Sequence, residues 1–257
     1  MIKISSVIIT HNEEENIAKC IESLKNISDE IIVVDSFSDD NTVAIAEKLG
    51  AKIFRRQFKD FGDQKTFAIQ QATFDWVFSI DADEVLSPEL QQSLLAEKNQ
   101  PRYDGYNINI LANYCGQWIR HCGWYPQPKL RFFNKNKCSM NTNRVHESIV
   151  ANDKSVKVGS MDGNILHYSY KTISDHTKKI ELYSEMAAIN AIENGERIML
   201  IKIVLGPTWK FIYNFFLRGG FLDGYLGYVL CKNIAYAGFI KYIKIKLYSQ
   251  NRGKVIA

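Results

Sequence analysis

The chain reads as an α/β protein: a mostly parallel central sheet with helices on both faces, followed by a helical, basic-amphipathic C-terminal extension. Three observations predict this. Strand and helix signals alternate through the first 80 or so residues at the rhythm of βαβ units. Acidic and polar residues recur where the apolar strands stop. From Glu196 onward the chain is apolar yet strongly basic, with ten Lys/Arg against two acids in a protein whose net charge is +4.

The elements follow in order. Ser6–Ile9 is a short β-branched run, read as a buried strand. Glu13–Leu24 carries Ile17, Ile21 and Leu24 at helical spacing. Glu30–Asp35 is a second buried strand, and Ser38-Asp39-Asp40-Asn41-Thr42 supplies turn and cap chemistry for a helix ending at Gly50. Ala51–Phe54 is a third strand, residues 62–74 read as a helix, and Trp76–Ile80 is a fourth strand running into Asp81. The middle, Tyr103–Tyr168, is less regular, with short strands at 104–112, 129–133 and 163–168. Its Tyr, Trp, Asn and Gly suit walls that stack on sugar or base rings. Residues 173–194 read as an amphipathic helix. The expected division is a catalytic domain over 1–170, with a nucleotide-binding half to about 100 and an acceptor half after it, and a helical region over 171–257.

The 257 residues suit one substantial α/β domain with an appendage, and 46% hydrophobic content excludes wholesale disorder. The N-terminal apolar stretch is too short for a secretory signal, so the expected compartment is the cytoplasm. Cys20, Cys115, Cys122, Cys138 and Cys231 are odd in number and irregular in spacing, which points to buried reduced thiols rather than disulfides or zinc. The basic tail mixes Lys with aromatics and aliphatics and is too greasy for a nucleic-acid arm. No window reaches 18 clean apolar residues. The expectation is a peripheral position on the inner face of the cytoplasmic membrane, with Phe239–Tyr248 lying in an anionic headgroup layer. An ordinary helical subdomain or a homodimer interface would use the same residues.

Ligands of parallel sheets bind beyond the carboxyl ends of the strands, which directs attention to three segments. Asp81-Ala82-Asp83 ends the fourth strand. In extended backbone both carboxylates face the same side and repel each other unless a cation lies between them. A hard divalent ion, Mg²⁺ or Mn²⁺ shared with substrate phosphates, meets that need, and a solvated acidic turn is the bland alternative. Asp35 ends the second strand, where it could accept bonds from a ribose or a base imide, with Ser36 and Ser38 hydroxyls beside it. Thr10-His11-Asn12-Glu13 ends the first strand and could contact base and ribose. Helix capping explains both of these equally well.

Taken together, Val7–Glu13, Ile32–Thr42 and Phe78–Glu84 resemble the family 2 glycosyltransferases of the GT-A fold in order and spacing, over roughly residues 4–95. Four further segments narrow the resemblance to the bacterial branch that builds the lipopolysaccharide core, typified by β-1,4-glucosyltransferases. They are Leu130-Arg131-Phe132-Phe133, Arg144-Val145-His146-Glu147, His167-Tyr168-Ser169 and Arg218–Gly224. The resemblance implies inverting transfer from a nucleotide sugar, most often a UDP-hexose, to a glycan or glycolipid acceptor. It implies that Thr10, Glu13 and Asp35 hold the nucleoside, with Asn12, Ser36, Ser38 and Ala82 beside them. Asp83 would bind the metal, and Asp81 would lie near the ribose or the metal. Arg131, Arg144 and Trp124 are candidates for acceptor or phosphate contact.

Relatives often take the acceptor proton with the Asp of a Glu-Asp pair, which this chain lacks. Glu147 is the candidate base, with His146 as a metal ligand or phosphate partner, and either could play either part. A structural His-Glu pair is the alternative. His167 is a weaker candidate that a satisfied buried histidine would explain. Gln64-Lys65-Thr66 replaces an Arg-Asn pair of the relatives, and Lys65 can still meet a phosphate as a point charge. The Gln/Arg-Trp motif of processive relatives is missing, which favours transfer of one sugar. No G-x-G-x-x-G follows the first strand, which argues against a dinucleotide oxidoreductase. The absence of a basic Gly-rich loop argues against a nucleotidyltransferase. A non-catalytic membrane adaptor would leave the strand-end acids without a purpose.

Overall fold

The computed structural model describes residues 1–141 and 148–250. They fall into two compact units, one of residues 1–111 and 126–168, the other of 112–125 and 169 onward. The segment 112–125, inside the expected catalytic domain by sequence, thus belongs with the C-terminal helices.

Unit 1 opens with β1 (Ile4–Thr10), α1 (Ile17–Leu24), β2 (Glu30–Asp35), α2 (Thr42–Lys48), β3 (Lys52–Arg55), α3 (Phe61–Gln71) and β4 (Trp76–Asp81). β1 pairs in parallel with both β2 and β4, and β2 with β3. Every residue of β1 is buried, as expected of a strand covered on both faces. Ile4 and Ile8 pack with Ile17, Cys20, Ile21 and Leu24 of α1, while Val7 and Ile9 pack on the other face with Ala68 and Ile69 of α3. Each such aliphatic side chain contributes about 2 kcal/mol by leaving water.

The helix expected from Glu13 starts four residues later. Glu13–Asn16 is a turn whose amides bond distant side chains: the Glu13 amide donates to Thr42 Oγ1 (2.7 Å) and the Glu14 amide to Asp40 (3.1 Å). Asn12, before it, sits at φ 54°.

The chain continues through β5 (Glu84–Leu86), α4 (Pro88–Asn99), β6 (Gly105–Tyr114), β7 (Gln117–Trp118), β8 (Pro128–Asn134), β9 (Cys138–Met140), β10 (Ile149–Ala151) and β11 (Val158–Tyr170). The sheet is mixed, ordered β3-β2-β1-β4-β8-β6-β11-β5, with β8 antiparallel to β4 and β11 antiparallel to β5. The last pairing sets His167 opposite Glu84. Gly163 makes the approach of β11 to α4 possible: its φ is 90°, and an added Cβ would lie 2.3 Å from the Leu90 nitrogen.

Unit 2 holds the β6–β7 turn, α5 (Ile173–Glu193), α6 (Leu200–Ile212) and α7 (Gly224–Gln250). Thr172 and Asp175 form a capping box at the start of α5. Asp223 explains the Arg218–Gly224 motif. Its buried carboxylate accepts from the Arg120 amide (3.2 Å), the His121 amide (2.8 Å) and His121 Nδ1 (2.9 Å). Gly219 and Gly224, at φ 68° and 63°, let the chain turn on either side of it. All five cysteines are free and four are buried. The Phe239–Tyr248 segment, expected to lie in a headgroup layer, packs in part within this unit, with Phe239 and Leu247 exposed. Ile245 is fully buried, Lys244 pairs with Glu181 and Glu185, and the Tyr248 hydroxyl donates to Glu185.

His176 lies buried beside Tyr114, whose hydroxyl is 3.0 Å from Nδ1. Burial, and next Lys179, depress its pKa to about 4. The unfolded chain therefore binds a proton near pH 6.5 that the folded chain refuses. The stability this represents is complete above that pH and is lost as pH falls toward 4, roughly 3 kcal/mol in all. Urea denaturation of wild type and His176→Gln at pH 7 and pH 4.5 checks it. The wild type should lose more stability than the variant, and equal losses would rule His176 out.

Candidate active site

The site is built at the carboxyl ends of β1, β2 and β4 in unit 1. Thr10 stands opposite Asp35 in the β1–β2 register, and the Ser36 amide donates to the Thr10 carbonyl (2.9 Å). Asp35 is fully buried and accepts from the Ser38 amide (3.1 Å) and the Ser38 hydroxyl (2.5 Å). The Ser38 hydroxyl also accepts from the Asn12 amide (2.9 Å), and the Asn12 side chain accepts from the Asp39 amide (3.0 Å). Asp35, Asn12 and Ser38 therefore brace the two strand-end loops against each other. On the same loop Phe37 is 54% exposed at φ 60°, a conformation costly for a bulky L-residue.

The Asp81 and Asp83 carboxylates each have partners within the protein. β4 ends at Asp81, so the two carboxylates do not continue one extended face; Asp81 pairs with Lys65 and Arg131, and Asp83 with His167. Asp81 lies 2.7 Å from Lys65 Nζ and 3.2 Å from Arg131 Nη2. Desolvation in the crevice works to raise its pKa, but Lys65 and Arg131 outweigh it and hold the carboxyl well below the usual range. Asp83 Oδ2 lies 3.0 Å from His167 Nε2. Burial works to lower the His167 pKa, and the Asp83 bond with the surrounding carboxylates raises it on balance.

Arg131 was expected to meet acceptor or phosphate. It is buried, and Nη2 donates to Glu84 (2.8 Å) as well as Asp81, which fixes it inside the wall as the countercharge of two acids. Glu84 is fully buried, and desolvation with Asp81 nearby pushes its carboxyl up while Arg131 opposes. Trp124 belongs to unit 2, where its ring packs near Tyr114, Tyr170 and His176. Arg144, His146 and Glu147 lie outside the described residues.

Four buried side-chain atoms among the described residues lack a hydrogen-bond partner, and all four fall here: Thr10 Oγ1, Gln64 Oε1, Asp81 Oδ1 and Arg131 Nε. Asp81 Oδ1 is the Lys65 contact, close in charge terms but without hydrogen-bond geometry. Buried polar groups are nearly always paired, so this concentration sets the strand-end region apart from the rest of the described core. Beside it lies a cavity of about 750 Å³ lined by Lys65, Lys129, Arg131, Gln127, Met140 and Ser148. Burial, then Arg131 and Lys65, lower the Lys129 pKa.

Among the described residues no group of three His, Cys, Asp or Glu is placed to hold a metal. Asp83 and His167 nonetheless offer an oxygen and a nitrogen donor. One or two protein ligands suffice for Mg²⁺ or Mn²⁺ when phosphates and water complete the shell. The donor set therefore fits a nucleotide-bound divalent ion. His167 carried little weight in the sequence, because its partner is 84 positions away.

The family model for glycosyl transferase family 2 matches residues 5–156. The chain belongs to this family. An uncharacterized glycosyltransferase of Rickettsia typhi is 37% identical over 266 residues, covering 100% of this chain and 91% of the relative. The lipopolysaccharide core biosynthesis glycosyltransferase LpsC of Rhizobium meliloti is 28% identical, covering 94% and 91%. Among solved structures, S. aureus TarS in complex with UDP covers 99% of this chain and 93% of that one, at 17% identity and TM-score 0.49. The family 2 chain has the GT-A arrangement: a central sheet whose parallel half ends in the acidic motif, extended by antiparallel strands, with a long C-terminal helix after it.

Proposed function

We propose that this family 2 chain transfers a single hexose, with inversion, from a UDP-sugar to a lipid-linked glycan of the lipopolysaccharide-core class at the cytoplasmic face of the membrane. The observation that carries the donor site is the clustering of the unpartnered buried polar atoms among the described residues around the β1 and β4 ends: Thr10 and Asp81 at the strand ends, Gln64 on α3 and Arg131 on β8. The unpartnered Thr10 hydroxyl and Gln64 carbonyl are buried beneath that edge, so a nucleoside would reach them only with a local shift of the loops above. Asp83 and His167 are the residues that would hold a divalent ion, which when bound neutralises the diphosphate as it leaves. Lys65 keeps Asp81 ionised and sits as a point charge beside that position. In the transfer, the acceptor oxygen bonds the anomeric carbon, the bond to the diphosphate oxygen breaks, and the acceptor proton passes to the base, assigned to Glu147 from sequence. The acceptor class rests on the sequence resemblance and on LpsC. The cations lining the cavity suit an acceptor bearing phosphate or carboxylate.

Titration calorimetry with UDP-, GDP-, CDP- and TDP-sugars, with and without Mn²⁺ or Mg²⁺, tests this reading. Metal-dependent binding of a UDP-hexose is expected. A folded protein that binds none of them would overturn it.

Phe37 gives a second test. A strained, exposed aromatic beside the nucleoside residues is placed to stack on the base. Phe37→Gly should leave stability unchanged or up to about 1 kcal/mol higher, because left-handed strain is relieved against glycine's extra entropy. Donor affinity should fall about tenfold. Unchanged affinity would remove the stacking role.

A further inference from the structure

α6 contributes no buried residue, although it is mostly apolar. Leu200, Ile201, Val204, Leu205, Trp209 and Ile212 are all exposed, at positions that share one helical face. The face continues through the π-helical turn Tyr213–Leu217 and the 3₁₀ turn Gly220–Asp223, where Phe216, Leu217, Phe221 and Leu222 are also exposed. The opposite side of α6 packs on α7: an added Cβ at Gly206 would lie 2.9 Å from the Tyr242 ring. An apolar surface of this extent on a folded unit marks an interaction site.

The charges around it select the partner. Among the described residues, Lys202, Lys210, Arg218 and Lys232 have no acidic partner. Lys202 and Lys210 lie over the Tyr242 ring, Arg218 over Tyr213, and Lys232 over Phe211 and Tyr228. Asp223, the one acid between Arg197 and Gln250, is buried under the Arg120 and His121 amides. A second copy docked on this face would bring like charges together, whereas lipid phosphates complement them. α6 is only about 20 Å long at 1.5 Å per residue, and no helix among the described residues is long and apolar enough to cross a membrane. Trp, Tyr and Phe at the rim suit the headgroup boundary.

We infer that the α6 face, from Leu200 through Leu222, docks in the interfacial layer of an anionic bilayer, with Lys202 and Arg218 meeting lipid phosphates. This names the surface behind the membrane position proposed above. It stands on unit 2 alone, so its failure would leave the donor reading intact.

Flotation of the full chain with phosphatidylcholine vesicles, with and without 30% phosphatidylglycerol, tests it, alongside circular dichroism and sedimentation velocity. Wild type should float with the anionic vesicles and partition far less onto neutral ones. Leu205→Glu/Trp209→Glu should reduce the bound fraction at least tenfold with unchanged dichroism. Lys202→Gln and Arg218→Gln should each weaken anionic-vesicle binding about fivefold while leaving neutral-vesicle binding alone. Failure of wild type to float, or flotation of the double Glu variant like wild type, would overturn the inference. So would a wild-type dimer that the double variant dissociates without changing flotation.

Discussion

Asp83→Ala should abolish the metal-dependent part of donor binding and lower transfer by at least a hundredfold. Changing a group merely behind a metal ligand costs about 10–100-fold, and here the carboxylate itself is removed. Asp83 is the acid at the β4 end whose partner is a histidine. Asp81, its neighbour, is balanced by Lys65 and Arg131, so it cannot readily take over the role. Calorimetry with the UDP-sugar at fixed Mn²⁺ separates the cases. Loss of the metal-dependent enthalpy with residual weak binding supports the assignment, and His167→Ala should reproduce it. If Asp83→Ala keeps metal-dependent binding while Asp81→Ala loses it, the two acids have been given each other's roles.

The second large effect concerns the wall behind the site. Arg131→Met should destabilise the protein by about 3–5 kcal/mol, because it leaves the fully buried Glu84 without its countercharge. At this size that lowers the melting temperature by about 10 °C. The deficit should depend on pH. Burial already raises the Glu84 pKa, and losing Arg131 raises it further. The folded variant then holds a proton that the unfolded chain releases near pH 4.5, so its stability falls as pH rises through that window and recovers on acidification. Glu84→Gln/Arg131→Met should regain part of the loss at neutral pH, since no charge is then stranded on Glu84 and Asp81 keeps Lys65. A single variant as stable as wild type at pH 7 would show that the pair is solvated and contributes little.

The residues that can be read directly from the sequence are those whose environment is local. The runs ending at Thr10, Asp35 and Asp81 are β-branched and apolar on both faces. This alone requires a covered parallel sheet and places polar residues at its carboxyl edge. The three motifs at that edge carried the family as well. The start of α1 was not legible, because the amides of Glu13 and Glu14 are capped by Thr42 and Asp40 from the next loop, and no rule of local propensity sees a cap 26 or more residues away.

The tail divides in the same way. Its charge and greasiness are composition, so the expectation of an anionic apolar partner came from sequence. Which residues face outward is a packing outcome. The Lys-rich end of α7 was the natural choice by pattern, yet Lys244 is neutralised by Glu181 and Glu185 and Ile245 is buried. α6, with fewer cations, is the helix left uncovered.

The sequence by itself determined the sheet, the acidic edge and the family, because side-chain periodicity and strand-end chemistry are written in consecutive residues. The fold assigned the distant partners: His167 to Asp83, and Arg131 to Glu84 and Asp81. Both assignments depend on strand order and register, β11 against β5 and β8 beside β4. Register is set by the packing of whole strands, and a one-residue slip would turn His167 to the other face of the sheet.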